Sequence, residues 1–290
     1  MAAPGHGFKR LVLALQPGAA SSDLRFAAEI ARLLNLEFLT LILEDLGLGE
    51  AARLPFAREF RGPASGWQPI DPRQLASDVQ AATQNLRRRI ENAAWDLKAN
   101  AQLEVIKGPV ADTIRAVSRT GDILLLAEPA SSAERASAQF NWLTEAVLGS
   151  STAVLLVPAR LARRKGPVVA IAATEDDRSI QAAAEIAASC GEELVIIDVD
   201  HPEPPLAARE PADDARLHIE RLSAPGGAFA DPTLLHHAFG NLQERLIVMT
   251  RGAFHDSVAP TVASARNVPV LLVEQASSAA QFPSEAKAER

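Results

Sequence analysis

Short, near-continuous apolar runs recur along the chain, separated by stretches in which apolar residues return every three or four positions. In the first half the runs predict strands at Leu11–Gln16, Phe38–Leu43, Leu103–Lys107, Ile123–Ala127 and Ala153–Val157. Because they do not alternate apolar with polar, both faces of each strand are expected to be covered, as in a parallel sheet. The stretches between them read as helices. One opens on the capping signal Ser21-Ser22-Asp23 and carries Leu24, Ala27, Ile30 and Leu34 on one face. A longer one places Leu75, Val79, Ala82, Leu86, Ile90, Ala93 and Leu97 along a single apolar stripe. Strand and helix in alternation predict a parallel α/β sheet with right-handed crossovers.

The second half repeats the scheme, with strands expected at Val168–Ala172, Leu194–Val199, Leu217–Leu222, Leu246–Thr250 and Val268–Val273. The repeat is visible in letters. Ala27-Ala28-Glu29-Ile30-Ala31 recurs as Ala183-Ala184-Glu185-Ile186-Ala187, and Val154-Leu155-Leu156-Val157 as Val270-Leu271-Leu272-Val273. The second pair lies closer together in sequence than the first, so the second copy is shorter. Most of the loss falls between its second and third strands, at residues 200–216, a segment too short for a helix of full length. The organisation expected is a first α/β domain over 8–159, a basic linker over 160–166, a shortened second domain over 167–274, and a small, polar, disordered tail over 275–290. Residues 46–72 are expected to form a long loop carrying Leu54, Phe56, Arg58, Phe60 and Trp67; loops of this length inside a domain are often functional.

Composition narrows the function. Aromatics are 4% of residues and Tyr is absent, so the core must be aliphatic. A net charge of −7 supplies no sustained basic face for nucleic acid; the basic runs Arg87-Arg88-Arg89 and Arg160–Lys165 read as solvated surface. The lone Cys190 forms no intrachain disulfide and reads as a small core residue. His236-His237 would point about 100° apart on a helix, so no metal site is expected. The Leu11–Leu15 run is too short for a signal peptide, and no run is long enough to span a bilayer; the reading is a cytoplasmic protein without membrane insertion.

Several of these features resemble the universal stress protein family. The apolar first strand, the capped helix ending Ala27–Ala31 and the second strand ending in Glu44-Asp45 are similar to the family's opening. Glu145–Leu148 with Val154–Val157, and Val262-Ala263 with Pro269–Val273, resemble its last helix and strand. The Leu54–Glu59 stretch is similar to a bacterial subgroup of tandem chains. The resemblance implies two five-stranded parallel sheets of strand order 3-2-1-4-5, with Val154–Val157 and Val270–Val273 meeting about a two-fold axis. It also implies an ATP site: an Asp ending the first strand, and a GxxG loop after the fourth strand, followed nine residues later by G(S/T). Glycines there let backbone N–H groups wrap the phosphates.

The chain departs from that pattern. Gln16 stands for the Asp, Ala127-Glu128-Pro129-Ala130 for the first glycine loop, and Asn141-Trp142 for the closing Gly-Ser. A carboxylate about 4 Å from a phosphate repels it by about 4 kcal/mol per charge pair at an effective dielectric of about 20. In the second copy Thr250-Arg251-Gly252 keeps part of the loop and Ser257 falls near the closing serine, but the spacing is short. The acidic run Glu175-Asp176-Asp177 reads as a helix N-terminal charge pattern. The expectation is therefore a stress-response-type regulatory or scaffold protein without enzymatic activity or cofactor, acting through a homodimer or protein-partner interface. Leu54, Phe56, Arg58 and Phe60 are its contact candidates; the alternative for Phe56 and Phe60 is to tuck onto the long helix. The uncovered face near Leu194–Val199 and Leu217–Leu222 is expected to be buried by another chain or by the first copy. The competing reading is an ATP or AMP sensor using a modified pocket of Gln16, Gly18 and Glu44 with Thr174, Thr250, Arg251, Gly252 and Ser257.

Overall fold

The aliphatic runs form strands because every second side chain can be buried on each side of a pleated ribbon. The computed structural model describes residues 7–15, 21–44, 46–60, 62, 66–97, 101–199, 219–224 and 238–274. The first half contains β1 (Arg10–Leu15), α1 (Ser21–Leu33), β2 (Glu37–Glu44), α2 (Leu46–Ala51), β3 (Arg58–Phe60), β4 (Trp67–Pro69), α3 (Pro72–Leu97), β5 (Ala101–Lys107), α4 (Val110–Val117), β6 (Asp122–Ala127), α5 (Ser132–Arg135), α6 (Ala138–Leu148) and β7 (Ala153–Val157). The second contains β8 (Val168–Ala172), α7 (Arg178–Cys190), β9 (Leu194–Val199), β10 (Ile219–Ala224), β11 (Leu246–Thr250), α8 (Val258–Arg266) and β12 (Val270–Val273).

The fold is mixed α/β around a mainly parallel sheet. Instead of two separate sheets, the strands make one ten-stranded sheet in the order β10-β9-β8-β11-β12-β7-β6-β1-β2-β5. Each half contributes its strands in parallel, and the halves join where β7 runs antiparallel to β12, with Val154 opposite Leu272, Leu155 opposite Leu271 and Leu156 opposite Val270. That pairing consumes what would otherwise be two exposed edges.

Alternate residues of each strand enter opposite cores. Leu11, Leu13 and Leu15 join the core under α1, α3 and α7, with Leu24, Leu86 and Ile186. Val12 and Ala14 join the other, under α4, α6 and α8, with Ile114, Val147 and Val262. This two-sided burial is why the strands read as continuous apolar runs. At the start of β1 and β6, Arg10 meets Asp122 in a buried two-point ion pair, Nε to Oδ1 at 3.0 Å and Nη2 to Oδ2 at 2.6 Å. The Asp122 hydrogen bond, followed by burial acting the other way, leaves the Arg10 pKa raised.

Three expectations change. Residues 46–72 are not one long loop: they form α2 and the antiparallel β3–β4 hairpin, with Arg58 opposite Pro69 and Phe60 opposite Trp67. The long stripe is buried only in part; Leu86 and Ile90 are fully covered, whereas Leu75 and Val79 are half-buried and the positions between them are exposed. The face expected to be bare at Leu194–Val199 is covered within the chain: Leu194 and Ile196 enter one core, and Val195, Ile197 and Val199 the other. Exposure is confined to β10, where Ile219 is 45% exposed; Leu217 lies outside the described residues, as do residues 200–216 and 275–290.

Candidate functional site

In a parallel α/β sheet a ligand crevice opens at the carboxyl ends of the strands, where the strand order reverses. In the second half that point lies between β8 and β11. Asp177 caps α7 there: its carboxylate accepts from Ser179 N at 2.9 Å and from Ala173 N at 3.0 Å. Thr250, the last residue of β11, donates its hydroxyl to Asp177 Oδ1 and accepts from Ser179 N at 3.2 Å. Asp177 and Thr250 are both buried. The N–H groups that could have faced a phosphate are thus taken by a carboxylate of the chain itself. Of the acidic run, only Asp177 is used this way; Glu175 and Asp176 are exposed.

The described candidate nucleotide residues are divided between the halves, Glu44 in the first and Thr174, Thr250, Arg251, Gly252 and Ser257 in the second. Thr174 is exposed in the turn after β8, and its carbonyl accepts from Asp177 N at 3.2 Å. Gly252 follows β11 with φ +80°, in the left-handed region that glycine tolerates. Ser257, exposed at the start of α8, pairs its hydroxyl with His255 Nδ1 at 2.8 Å. Glu44 ends β2 between Lys107 Nζ at 3.1 Å and Thr83 Oγ1 at 3.0 Å. Gln16 and Gly18 lie outside the described residues.

Arg251 points elsewhere. Its guanidinium donates to Ser150 O and, at 2.9 Å, to Thr152 O, both just ahead of β7 in the other half. Burial lowers its pKa, partly opposed by Glu274 and Asp256. Glu128 occupies the matching backbone position in the first half. Glu128 N donates to Val157 O at 2.8 Å, and Arg251 N to Val273 O at 2.8 Å. The Glu128 carboxylate accepts from Ser264 Oγ of α8 at 3.3 Å and from Ala159 N at 3.4 Å, and pairs with Arg135 Nε at 3.4 Å. From the segment after its fourth strand, each half thus sends a charged side chain across the seam. Two carbonyls of the first half take up part of the Arg251 guanidinium, which carries five N–H donors. Asn141 and Trp142 lie within α6, where a helix has no glycine loop to close, and Trp142 is 53% exposed.

The contact candidates stand together at the surface. Phe56 is 77% exposed, Phe60 55% and Leu54 46%; Arg58 is exposed on β3. Phe60 does not tuck onto α3 but meets Trp67 across the hairpin in a tilted ring pair, with centroids 5.6 Å apart. Trp67, 66% exposed, is the aromatic missing from the first list of contact residues. Its pairing with Phe60 depends on the hairpin register; Gly62-Pro63 and Ser65-Gly66 mark a turn between them in the sequence, but they do not set which residues face each other. Among the described residues no cluster of His, Cys, Asp or Glu could hold a metal ion, and no helix is long and apolar enough to cross a membrane.

Solved structures share this architecture. A universal stress protein from Archaeoglobus fulgidus DSM 4304 superposes with a TM-score of 0.59 at 16% sequence identity, covering 91% of this chain and 98% of that one. A structure assigned to the same family, from Pseudomonas aeruginosa UCBPP-PA14, matches with a TM-score of 0.50 at 16% identity, covering 93% and 94%. The fold is therefore that of universal stress proteins, and at such coverage the likeness takes in both halves of the sheet. No family model and no curated protein matches the sequence.

Proposed function

We propose that this chain is a stress-response-type regulatory or scaffold protein that acts through protein contacts, without enzymatic chemistry and without an ATP cofactor. The observation that carries the reading is the exposed apolar group on the turn after α2 and the β3–β4 hairpin. Four large apolar side chains, Leu54, Phe56, Phe60 and Trp67, stand in water close together in sequence. A soluble chain rarely leaves such a group exposed unless another surface covers it, and rigid aromatics beside an arginine are the residue types that anchor interfaces. The closed network of Asp177, Ser179 and Thr250 supports the second part: in the second half the N–H groups of Ala173 and Ser179 are already taken.

The test is mass in solution by light scattering. A homodimer is expected at tens of micromolar, and Phe56→Asp with Phe60→Asp should reduce it to monomer while leaving the circular dichroism spectrum and thermal midpoint unchanged, since neither ring is buried. A monomeric parent whose mass the double variant does not alter would remove self-association from the reading.

One observation favours the competing reading, an adenine-nucleotide sensor. An open groove of about 550 Å³ lies beside the β7–β12 seam, lined by Ser118, Arg119, Thr120, Ser150, Ser151, Thr152, Arg251, Gly252 and Glu274. Its hydroxyls and two guanidinium groups could receive a phosphate. A one-site calorimetric isotherm with ATP or AMP, lost in Arg119→Ala, would favour that reading over the first.

A further inference from the structure

On the face of the sheet that carries α1 and α7, each helix lies on its own half. The central strands β7 and β12 are left between them. A cavity of about 350 Å³ opens there. Leu155 of β7 and Leu271 of β12 form part of its floor, Phe26 and Ile30 of α1 one wall, and Ile186 and Cys190 of α7 the other. The lining is apolar apart from charged side chains at five positions, and the volume is at the lower end of what small-molecule sites occupy, about 300–1,000 Å³. An apolar cavity gives water no hydrogen-bond partners, so it favours an apolar occupant over solvent.

The rim has the opposite character. Arg32, Arg163, Arg164 and Arg245 border the cavity, with Glu29 as the one carboxylate among its lining residues. Two of the arginines are matched: Arg164 pairs with Glu29 at 3.1 Å and Arg245 with Glu192 at 3.0 Å. The other two have charge to spare. Arg163 reaches Glu244 only at 3.9 Å, and that carboxylate is already held at two points by Arg266, at 2.7 and 2.9 Å. Arg32 is exposed and makes no ion pair among the described residues. One arginine without an ion pair among the described residues and another that shares its carboxylate with Arg266, at the mouth of this cavity in a chain of net charge −7, are a local reversal of the protein's field. The basic run Arg160–Lys165, which reads from sequence as solvated surface, supplies Arg163 and Arg164 of this rim.

We infer that the cavity between α1 and α7 binds a small single-chain carboxylate, its hydrocarbon part on Leu155 and Leu271 and its anionic head at Arg32 and Arg163. This ligand is distinct from a nucleotide: apart from Glu29 and the four arginines, the lining offers no hydroxyl or amide side chain to a base or ribose.

The probe is decanoate, added below its micellar range to the full chain and followed by calorimetry. A second readout is the rate at which iodoacetamide alkylates Cys190, the only thiol, scored by mass spectrometry. A single saturable site is expected, with alkylation slowed about tenfold at saturation. Octanoate should bind about fifteenfold more weakly, from about 0.8 kcal/mol per methylene no longer buried. Decyltrimethylammonium, with the same chain and the opposite charge, should not compete. Arg32→Glu with Arg163→Glu should weaken decanoate about tenfold or more, and Ile30→Trp, which fills the cavity, should abolish binding and protection. If Ile30→Trp does not fold, the arginine pair, which lies at the surface, carries the test alone. No saturable heat with an unchanged alkylation rate would overturn the site. Equal binding of the cationic probe, or decanoate affinity indifferent to the arginine pair, would overturn its anion selectivity and with it the inference.

Discussion

Removing the Asp177 carboxylate should both loosen the sheet's switch point and test whether it is closed by the chain itself. The buried carboxylate receives two backbone N–H groups and one hydroxyl, from Ala173, Ser179 and Thr250. In Asp177→Ala the helix α7 loses its N-cap, at about 1 kcal/mol. The hydroxyl of Thr250 and the N–H of Ala173 also lose their acceptor, at about 1 kcal/mol or more each where water does not replace it. A total near 3 kcal/mol is expected. Urea unfolding should show it as a lower midpoint at unchanged slope, and heating as a drop of roughly 6–12 °C, taking about 2–4 °C per kcal/mol. Asp177→Asn keeps one acceptor oxygen and should lose about half as much. A cycle of Asp177→Ala with Thr250→Val should show coupling of about 1 kcal/mol, because the same hydrogen bond is removed twice. A loss below about 0.5 kcal/mol, or coupling indistinguishable from zero, would refute the network as the element that closes the crevice.

Arg251→Ala should cost about 2 kcal/mol in urea unfolding, because two carbonyls of the other half lose a charged donor, while calorimetry with Mg-ATP stays flat in parent and variant alike. Gly166→Ala should destabilise by about 2 kcal/mol or more: Gly166 has φ +128°, and an added Cβ would stand 2.0 Å from Gln243 O, a backbone atom that cannot swing away. Burial raises the Cys190 thiol pKa, with Glu192 adding to this and Arg245 opposing it. Its alkylation should therefore rise at higher pH than that of a free thiol. Because the folded chain holds that proton more tightly than the unfolded one, this group's contribution to stability is present below the unfolded thiol's pKa and falls as pH rises past it. An alkylation profile matching free cysteine would contradict the burial.

Leu11–Leu15, Ala153–Val157, Val168–Ala172 and Leu246–Thr250 could be read as strands from letters alone, because apolar runs of five or six residues bounded by polar segments are of strand length and too short for a buried helix. The matching Ala-Ala-Glu-Ile-Ala segments announced a repeat for the same local reason: a helix packed on a parallel sheet needs small residues on its inner face. The departures at Glu128, Pro129 and Gln16 were equally visible. What those departures do instead was not visible. Glu128 and Arg251 are far apart in the chain, and only the antiparallel meeting of β7 with β12 brings Glu128 to Ser264 and Arg251 to Ser150 and Thr152. Asp177 could be read as part of a helix start, but its hold on Thr250 spans a separation that no local pattern encodes. The tilted contact of Phe60 with Trp67 awaited the hairpin register. The cavity between α1 and α7 belongs to neither half. It exists because two helices, each placed correctly by its own sequence, stop short of the same seam. Local periodicity thus determined the elements and their repetition, whereas every feature built from both halves was decided by how the sheet closes on itself, since side chains distant in sequence meet only when that surface forms.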